Sequence, residues 1–258
     1  MRYLALVEQL DRLMNELSLF SGAGGGLLGT KLLGFKPIGY VEWNEYCQQV
    51  IAQRIKDGIL DKAPIFTDVC EFVQSGAARQ YRGFVDVLTA GFPCQPHSRS
   101  GKQLGSSDDR DMWPATESTI RVARPRFVLL ENNPGIIDFG YAGRVVAGLA
   151  KMGYVGHQIS LSAARLGAHH LRERIWWLAV DTNADGQRLQ RWDNGATRWE
   201  SKNGSISTLE QSIAWPEVSN PHAYGSNDGL ADRVERTRAI GNGQVPIVAA
   251  TAFRLLTQ

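Results

Sequence analysis

The sequence predicts an α/β fold, a mostly parallel β-sheet covered by helices on both faces. Three observations carry that expectation. Short apolar runs such as LSLF (17–20), VDVLTAG (85–91) and RFVLLEN (126–132) recur along the chain and read as buried strands. Helical stretches alternate with them, the pattern of βα units. A glycine cluster, SGAGGG (21–26), follows the first strand and precedes the first helix of that series. In such sheets ligands bind beyond the carboxyl ends of the strands.

Taken in order, MRYLALVEQLDRLMNEL (1–17) places Leu6, Val7, Leu10, Leu13, Met14 and Leu17 at helical spacing and predicts an amphipathic helix packed on the body. Glu8, Asp11 and Glu16, with no small-residue cleavage site, exclude a secretory signal. LSLF is the first buried strand. LLGTKLL (27–33) is a helix that stops at Gly34, PIGYVEW (37–43) a strand, and NEYCQQVIAQRI (44–55) a helix capped by Asn44. PIFTDV (64–69), VDVLTAG and RFVLLEN are further strands. AGRVVAGLAKMG (142–153) is a helix, and YVGHQISLSA (154–163) and RIWWLAV (174–180) complete the strands. Residues 181–237 are rich in Asn, Gly, Ser, Asp, Arg and Trp without clear periodicity, and read as a small irregular subdomain or a long insert. AIGNGQVPIVAATAFRLL (239–256) is a glycine turn followed by an apolar helix.

Composition narrows the function classes. At 258 residues the chain fits one sizeable domain with room for an insert. A formal net charge of +2 permits a nucleic-acid partner without requiring one. Three cysteines, Cys47, Cys70 and Cys94, with no Cys-x-x-Cys spacing, argue against a disulfide framework or a zinc site. A reducing, cytoplasmic setting and no metal are therefore expected. No run approaches the ~18 apolar residues of a membrane span, so no membrane partner is expected.

Two constellations carry chemistry. In the first, Gly22, Gly24 and Gly25 let the backbone turn sharply and approach a ligand. Glu42 ends the next strand, where an acid can bond ribose hydroxyls. Trp43 offers a face for adenine, and Asp68 an acceptor for its amino group. Together they imply an adenosine cofactor. They do not separate a nicotinamide dinucleotide from S-adenosylmethionine, although the spacing is not G-x-G-x-x-G. In the second, Cys94 follows the VDVLTAGF run, held between Pro93 and Pro96. A free thiol, with a pKa near ~8.5, needs nearby positive charge to act as a nucleophile. Arg172 and Arg174 are candidate sources. Glu131 ends another strand, where partial desolvation would raise its pKa and let it donate a proton near neutrality.

LFSGAGG, EW (42–43), GFPCQPHSRSGKQLG, ENNPG, HLRERIWWLA and AIGNGQVP resemble, in this order, the motifs of the cytosine-C5 DNA methyltransferases. The resemblance spans residues 17 to 256, and only 181–237 lacks a match. It implies a Rossmann-like, S-adenosylmethionine-dependent methyltransferase sheet with helices on both faces, plus a small irregular target-recognition subdomain. The catalytic, cofactor-binding domain would be 1–180 with 238–258, and the target-recognition region 181–237. It implies that Cys94 attacks C6 of a cytosine flipped out of duplex DNA, while Glu131 bonds N3 and the exocyclic amine. Arg174 would hold the cytosine O2, and Arg172 would help to organise the site. Phe20, Ser21, Gly22, Gly24, Gly25, Glu42, Trp43, Asp68, Val69, Phe92, Pro93 and Asn242 match cofactor positions, and Gln95, Ser98, Arg99 and Lys102 match DNA contacts.

Where the family usually has Val after Glu-Asn, Asn133 stands here. His170 takes the place of a Gln, and Ser18 stands close to where an Asp is common. The expected partner is double-stranded DNA, with room for a cognate restriction endonuclease, and the chain is expected to be a monomer. Arg188, Arg191, Arg198 and Lys202, interleaved with Trp192, Trp199 and Trp215, are candidates for reading bases. Arg233, Arg236 and Arg238 are candidates for touching backbone phosphate. Three other readings stay open: a tRNA-directed member of the same family, a catalytically silent homologue that binds DNA or cofactor, and, more remotely, a nicotinamide-dependent dehydrogenase.

Overall fold

Strands whose side chains are apolar on both faces must be covered on both faces, and this requirement organises the molecule. The computed structural model describes residues 13–93, 111–137, 140–183, 200–201 and 233–257. Within them the strands are β1 (Asn15–Leu19), β2 (Lys36–Val41), β3 (Ile65–Phe66), β4 (Val87–Ala90), β5 (Phe127–Asn132), β6 (Tyr154–Ser162), β7 (Glu173–Asp181) and β8 (Glu200–Ser201). The helices are α1 (Gly25–Lys31), α2 (Glu45–Lys56), α3 (Val69–Gln74), α4 (Ala77–Gln80), α5 (Trp113–Ala123), α6 (Tyr141–Lys151), α7 (Arg233–Asn242) and α8 (Pro246–Leu256).

The described strands form one sheet in the order β3-β2-β1-β4-β5-β7-β6-β8. Alternate residues of each central strand enter different cores. Leu17, Leu88, Leu130 and Trp177 pack with residues of α3, α5 and α6, among them Phe72, Trp113, Ile120, Val145 and Leu149. Val87, Leu129, Trp176 and Leu178 pack with Val248, Ala252 and Phe253 of α8. Leu27 of α1 and Ile51 of α2 form a smaller cluster with Tyr40 of β2.

The expectation of a mostly parallel sheet holds from β3 to β5, where every neighbouring pair is parallel. It fails at β7. That strand lies between β5 and β6 and is antiparallel to both. A run such as IWWLAV, buried on both faces, carries no mark of direction. The consequence is functional: reversal brings the amino end of β7, with Arg174, to the carboxyl edge of β5. Ile175 pairs with Asn132, and Trp176 with Glu131. A parallel β7 would leave Arg174 at the opposite edge, about 25 Å away.

Other expectations are corrected locally. Residues 1–12 of the predicted amino-terminal helix lie outside the described residues, and Asn15–Leu19 is a strand, so no helix extends to Leu17. The strand expected over 64–69 shrinks to Ile65–Phe66, because Asp68 caps α3 by accepting the Glu71 N–H at 2.8 Å. The turn expected at Ala239 is the last part of α7, and α8 begins only at Pro246. Helix α5 has no counterpart among the elements the sequence predicts; its Pro114 stands in the first turn, where a missing N–H costs nothing. Among the described residues no helix is long and apolar enough to cross a membrane.

Candidate active site

The carboxyl edges of β1, β4 and β5 open into a cleft. Its walls include Phe20, Ser21 and Gly22 after β1, Gly91 after β4, Glu131 of β5, Trp176 of β7, Asn242 at the end of α7, and Gly243 and Gln244 between α7 and α8. The turn from β1 into α1 is built by unusual backbone angles. Gly22 and Gly24 have φ of 55° and 85°, where a Cβ would be strained, and Phe20 adopts φ of 52° despite its side chain. The Ser21 hydroxyl donates to the Ser18 carbonyl and lies 3.0 Å from the Ser18 hydroxyl, which ties the loop back onto β1.

Glu42 follows β2 and fixes the neighbouring loop. Its carboxylate accepts the Gly22 N–H at 2.6 Å and the Asn44 N–H at 2.8 Å. Burial pushes its pKa up, and these two backbone donors pull it back. Each oxygen retains a further lone pair for a ligand. Trp43 beside it is 77% exposed, which leaves the ring face free to stack. Asp68 spends one carboxylate oxygen on its helix cap. Val69 and Phe92 are buried in the core below the edge, Pro93 is exposed, and Asn242 is exposed at the cleft.

Glu131 is the chemical centre of the described residues. It is only 8% exposed, and both oxygens are engaged. Oε1 meets Nε of Arg174 at 2.8 Å, and Oε2 accepts from Nε2 of Gln244 at 3.1 Å. Burial raises its pKa, while Arg174, Gln244 and Arg172 oppose that rise. The result is a buried carboxyl whose proton affinity is raised above that of an exposed glutamate, with its orientation held from two sides. Asn132 donates to the Phe92 carbonyl at 2.9 Å and so ties the end of β5 to the segment after β4. A Cβ on Gly91, three residues before Cys94, would stand 2.8 Å from Oε2 of Glu131.

Arg172 does not contact Glu131. It adopts φ of 31° and donates to the Gly241 carbonyl at 2.9 Å and to the Gly243 carbonyl. It therefore holds the end of α7, where Asn242 stands, and the link to α8, which carries Gln244. Sequence reasoning named Asn242 and missed Gln244, whose only sequence-level signal is its place in the GNGQVP motif.

Cys94, Gln95, Ser98, Arg99 and Lys102 lie outside the described residues, as do Arg188, Arg191, Trp192, Arg198, Trp199, Lys202 and Trp215. The two other cysteines are poor nucleophiles. Burial pushes the Cys47 thiol up to about 11, with Glu42 and Glu235 adding to the rise. Burial and then Asp68 push the Cys70 thiol up as well. No group of three or more His, Cys, Asp or Glu side chains among the described residues is placed to hold a metal ion.

An adenosine cofactor fits the cradle. No atom crowds the position of a Cβ on Gly22, the Trp43 face is open, and Glu42 can still accept. Trp176, on the cleft wall, keeps a buried indole N–H with no acceptor among the described residues, a donor available to a bound group or water.

Residues 14–242 match the model of the C-5 cytosine-specific DNA methylase family. The chain is 33% identical over 169 residues to the type II methyltransferase M.NgoMIV of Neisseria gonorrhoeae, covering 64% of this chain and 51% of that protein. It is 32% identical over 164 residues to M.HaeII of Haemophilus aegyptius, covering 62% and 48%. The chain thus spans about half the length of these relatives. Among solved structures, a DNMT2 variant of Spodoptera frugiperda superposes with a TM-score of 0.56 at 18% identity, covering 74% of this chain and 56% of that one. A putative DNA modification methyltransferase encoded within a prophage of E. coli gives 0.51 at 24% identity, covering 66% and 47%. Both share the fold.

Proposed function

The chain belongs to the C-5 cytosine-specific DNA methylase family, and from that premise we propose that it is a DNA (cytosine-5-)-methyltransferase acting with S-adenosylmethionine on duplex DNA. One observation supports this reading above the others. Glu131, buried and gripped by Arg174, lies against Gly91 at the head of the segment that leads to Cys94. That proximity supports a site in which Glu131 would act as the acid and the segment beyond Gly91 would carry the nucleophile.

Phe20, Ser21, Gly22, Gly24, Gly25, Glu42, Trp43, Asp68, Val69, Phe92, Pro93 and Asn242 would hold S-adenosylmethionine. Glu42 would take the ribose hydroxyls and Trp43 the adenine face. Bound there, the cofactor supplies an electrophilic methyl group for C5 of the base. Cys94, as thiolate, would attack C6 and form a carbon–sulfur bond, shifting electron density onto C5 and N3. Glu131 would bond N3 and the exocyclic amine, and its buried, raised-pKa carboxyl would share a proton with N3 as negative charge develops there. Arg174 would serve Glu131 and the cytosine O2 together. After methyl transfer the cofactor would leave as its demethylated thioether, C5 would give up its proton to water, the C5–C6 double bond would re-form with expulsion of the Cys94 thiolate, and 5-methylcytosine would be released.

The target cytosine must leave the base stack to reach a buried carboxyl, at a cost of a few kcal/mol. A nucleophile framed by Pro93 and Pro96 loses little further freedom on binding. Gln95, Ser98, Arg99 and Lys102 would contact DNA, and 181–237 would form the target-recognition region, with 1–180 and 238–258 the catalytic domain. A cognate restriction endonuclease and action as a monomer complete the reading.

The test is transfer from methyl-labelled cofactor by the purified chain to mixed-sequence duplex DNA and, in parallel, to tRNA. Label recovered as 5-methylcytosine from the duplex supports the reading. Label confined to tRNA overturns the DNA substrate, and label in neither overturns the activity.

A further inference from the structure

Gln244 occupies a slot built from three glycines. Its backbone carbonyl would stand 2.3 Å from a Cβ on Gly25, its Oε1 2.3 Å from a Cβ on Gly26, and its Nε2 2.9 Å from a Cβ on Gly91. A Cβ at Gly25 would press on the Gln244 backbone, and one at Gly26 or Gly91 on its side chain. The slot ends at Glu131, to which Nε2 donates at 3.1 Å. Arg172 bonds the carbonyls of Gly241 and Gly243, immediately before Gln244. Asn44 Nδ2 donates to Glu235 at 3.2 Å and so joins α7 to the cap of α2. The carboxyl is therefore clamped between a charged donor from β7 and a neutral donor from the α7–α8 link.

We infer that Gln244 is a positioning residue for Glu131, fixing the orientation of its carboxyl and favouring its ionised form, with Arg172 acting through the backbone that carries Gln244. The inference rests on the methyltransferase reading only for its kinetic consequence; the clamp itself is a property of the protein alone. A hydrogen bond to an ionised group is stronger than one between neutral groups, so its loss shifts protonation and rate together. A purely packing role predicts no such link.

The decisive variants are Gln244→Met, which fills the slot without a donor, and Gln244→Glu, which keeps the shape and sets a second carboxyl against the first. Carbon-13 NMR of glutamate-labelled protein, with the Glu131 signal identified by its absence in Glu131→Gln, reads the titration directly. Gln244→Met should raise the Glu131 midpoint, and Gln244→Glu should raise it further. In methyl transfer, kcat should fall about tenfold in Gln244→Met through lost orientation of the carboxyl while the cofactor KM changes less than about twofold, and the basic limb of the kcat profile, set by ionisation of the proton-sharing Glu131, should move to higher pH.

An unchanged Glu131 midpoint in both variants would overturn the inference. So would a shifted midpoint with unchanged kcat and pH profile in an active enzyme. If the wild type transfers no methyl group at all, the reading of the function fails instead, and the NMR titration still decides the clamp. Should Gln244→Met not fold, the isosteric Gln244→Glu carries the test.

Discussion

Glu16 offers a prediction whose size follows from the structure. Its side chain is fully buried on β1, with Thr30 of α1 donating to Oε2 and Thr89 of β4 donating to Oε1, each at 2.6 Å. No cation among the described residues balances it, so burial raises its pKa from the ordinary 4.5 to about 7 against the pull of the two hydroxyls. The folded state thus binds this proton more tightly than the unfolded state does. The group's contribution to stability is complete below about pH 4.5, declines as pH rises to about 7, and stays lower above that. At about 1.4 kcal/mol per pH unit, the decline amounts to roughly 3 kcal/mol. Glu16→Gln removes the ionisation. Its constant offset is set by how well an amide is accepted between two hydroxyls, but the pH-dependent part should vanish. Urea unfolding of both proteins, followed by tryptophan fluorescence between about pH 4.5 and about pH 8, isolates the effect, because other titrating groups cancel in the difference. The variant should gain roughly 3 kcal/mol on the wild type across that range. A stability difference that is flat with pH would refute the argument that burial dominates at Glu16.

Three further outcomes follow from the cleft. Trp43→Ala should weaken S-adenosylmethionine binding by about fivefold to tenfold, through loss of one stacking face, with no change in thermal midpoint because the ring is 77% exposed; calorimetric titration and a melting curve read the two separately. Gly25→Ala should destabilise the fold by about 1–3 kcal/mol, since its Cβ would meet the Gln244 backbone carbonyl oxygen at 2.3 Å, and urea unfolding would show it. Glu131→Gln should reduce kcat by about 100-fold or more while DNA affinity, measured by fluorescence anisotropy, changes only a few-fold; an undiminished kcat would contradict the acid's role.

Most of the sheet was legible because the apolar runs are short, spaced by helices and buried on both faces. LSLF, RFVLLEN and YVGHQISLSA lie within two residues of β1, β5 and β6. What escaped depends on contacts between distant residues. The direction of β7 is set by which strands accept it, and IWWLAV fits either way. The Gln244–Glu131 bond joins residues 113 apart in sequence, through a link whose position depends on α7, a helix whose apolar face is weak. The helix expected to reach Leu17 arose because Leu13, Met14 and Leu17 also satisfy helical spacing; the sheet prevails because Asn15–Leu19 pairs on both sides, with β2 and with β4. Glu42 and Trp43 follow the end of β2 as the sequence predicts, but only the coordinates reveal that Glu42 also holds the glycine turn, by accepting the Gly22 N–H.

The central claim is that this chain methylates cytosine in DNA through Cys94. The most direct measurement is nucleoside mass spectrometry on DNA from a host without cytosine methylation of its own, expressing either the wild type or Cys94→Ala. The account predicts 5-methylcytosine in the wild-type DNA alone, with cofactor affinity retained by the purified variant, because the thiol acts only on the base. Absence of 5-methylcytosine from the wild-type DNA, or equal amounts in both, would contradict it.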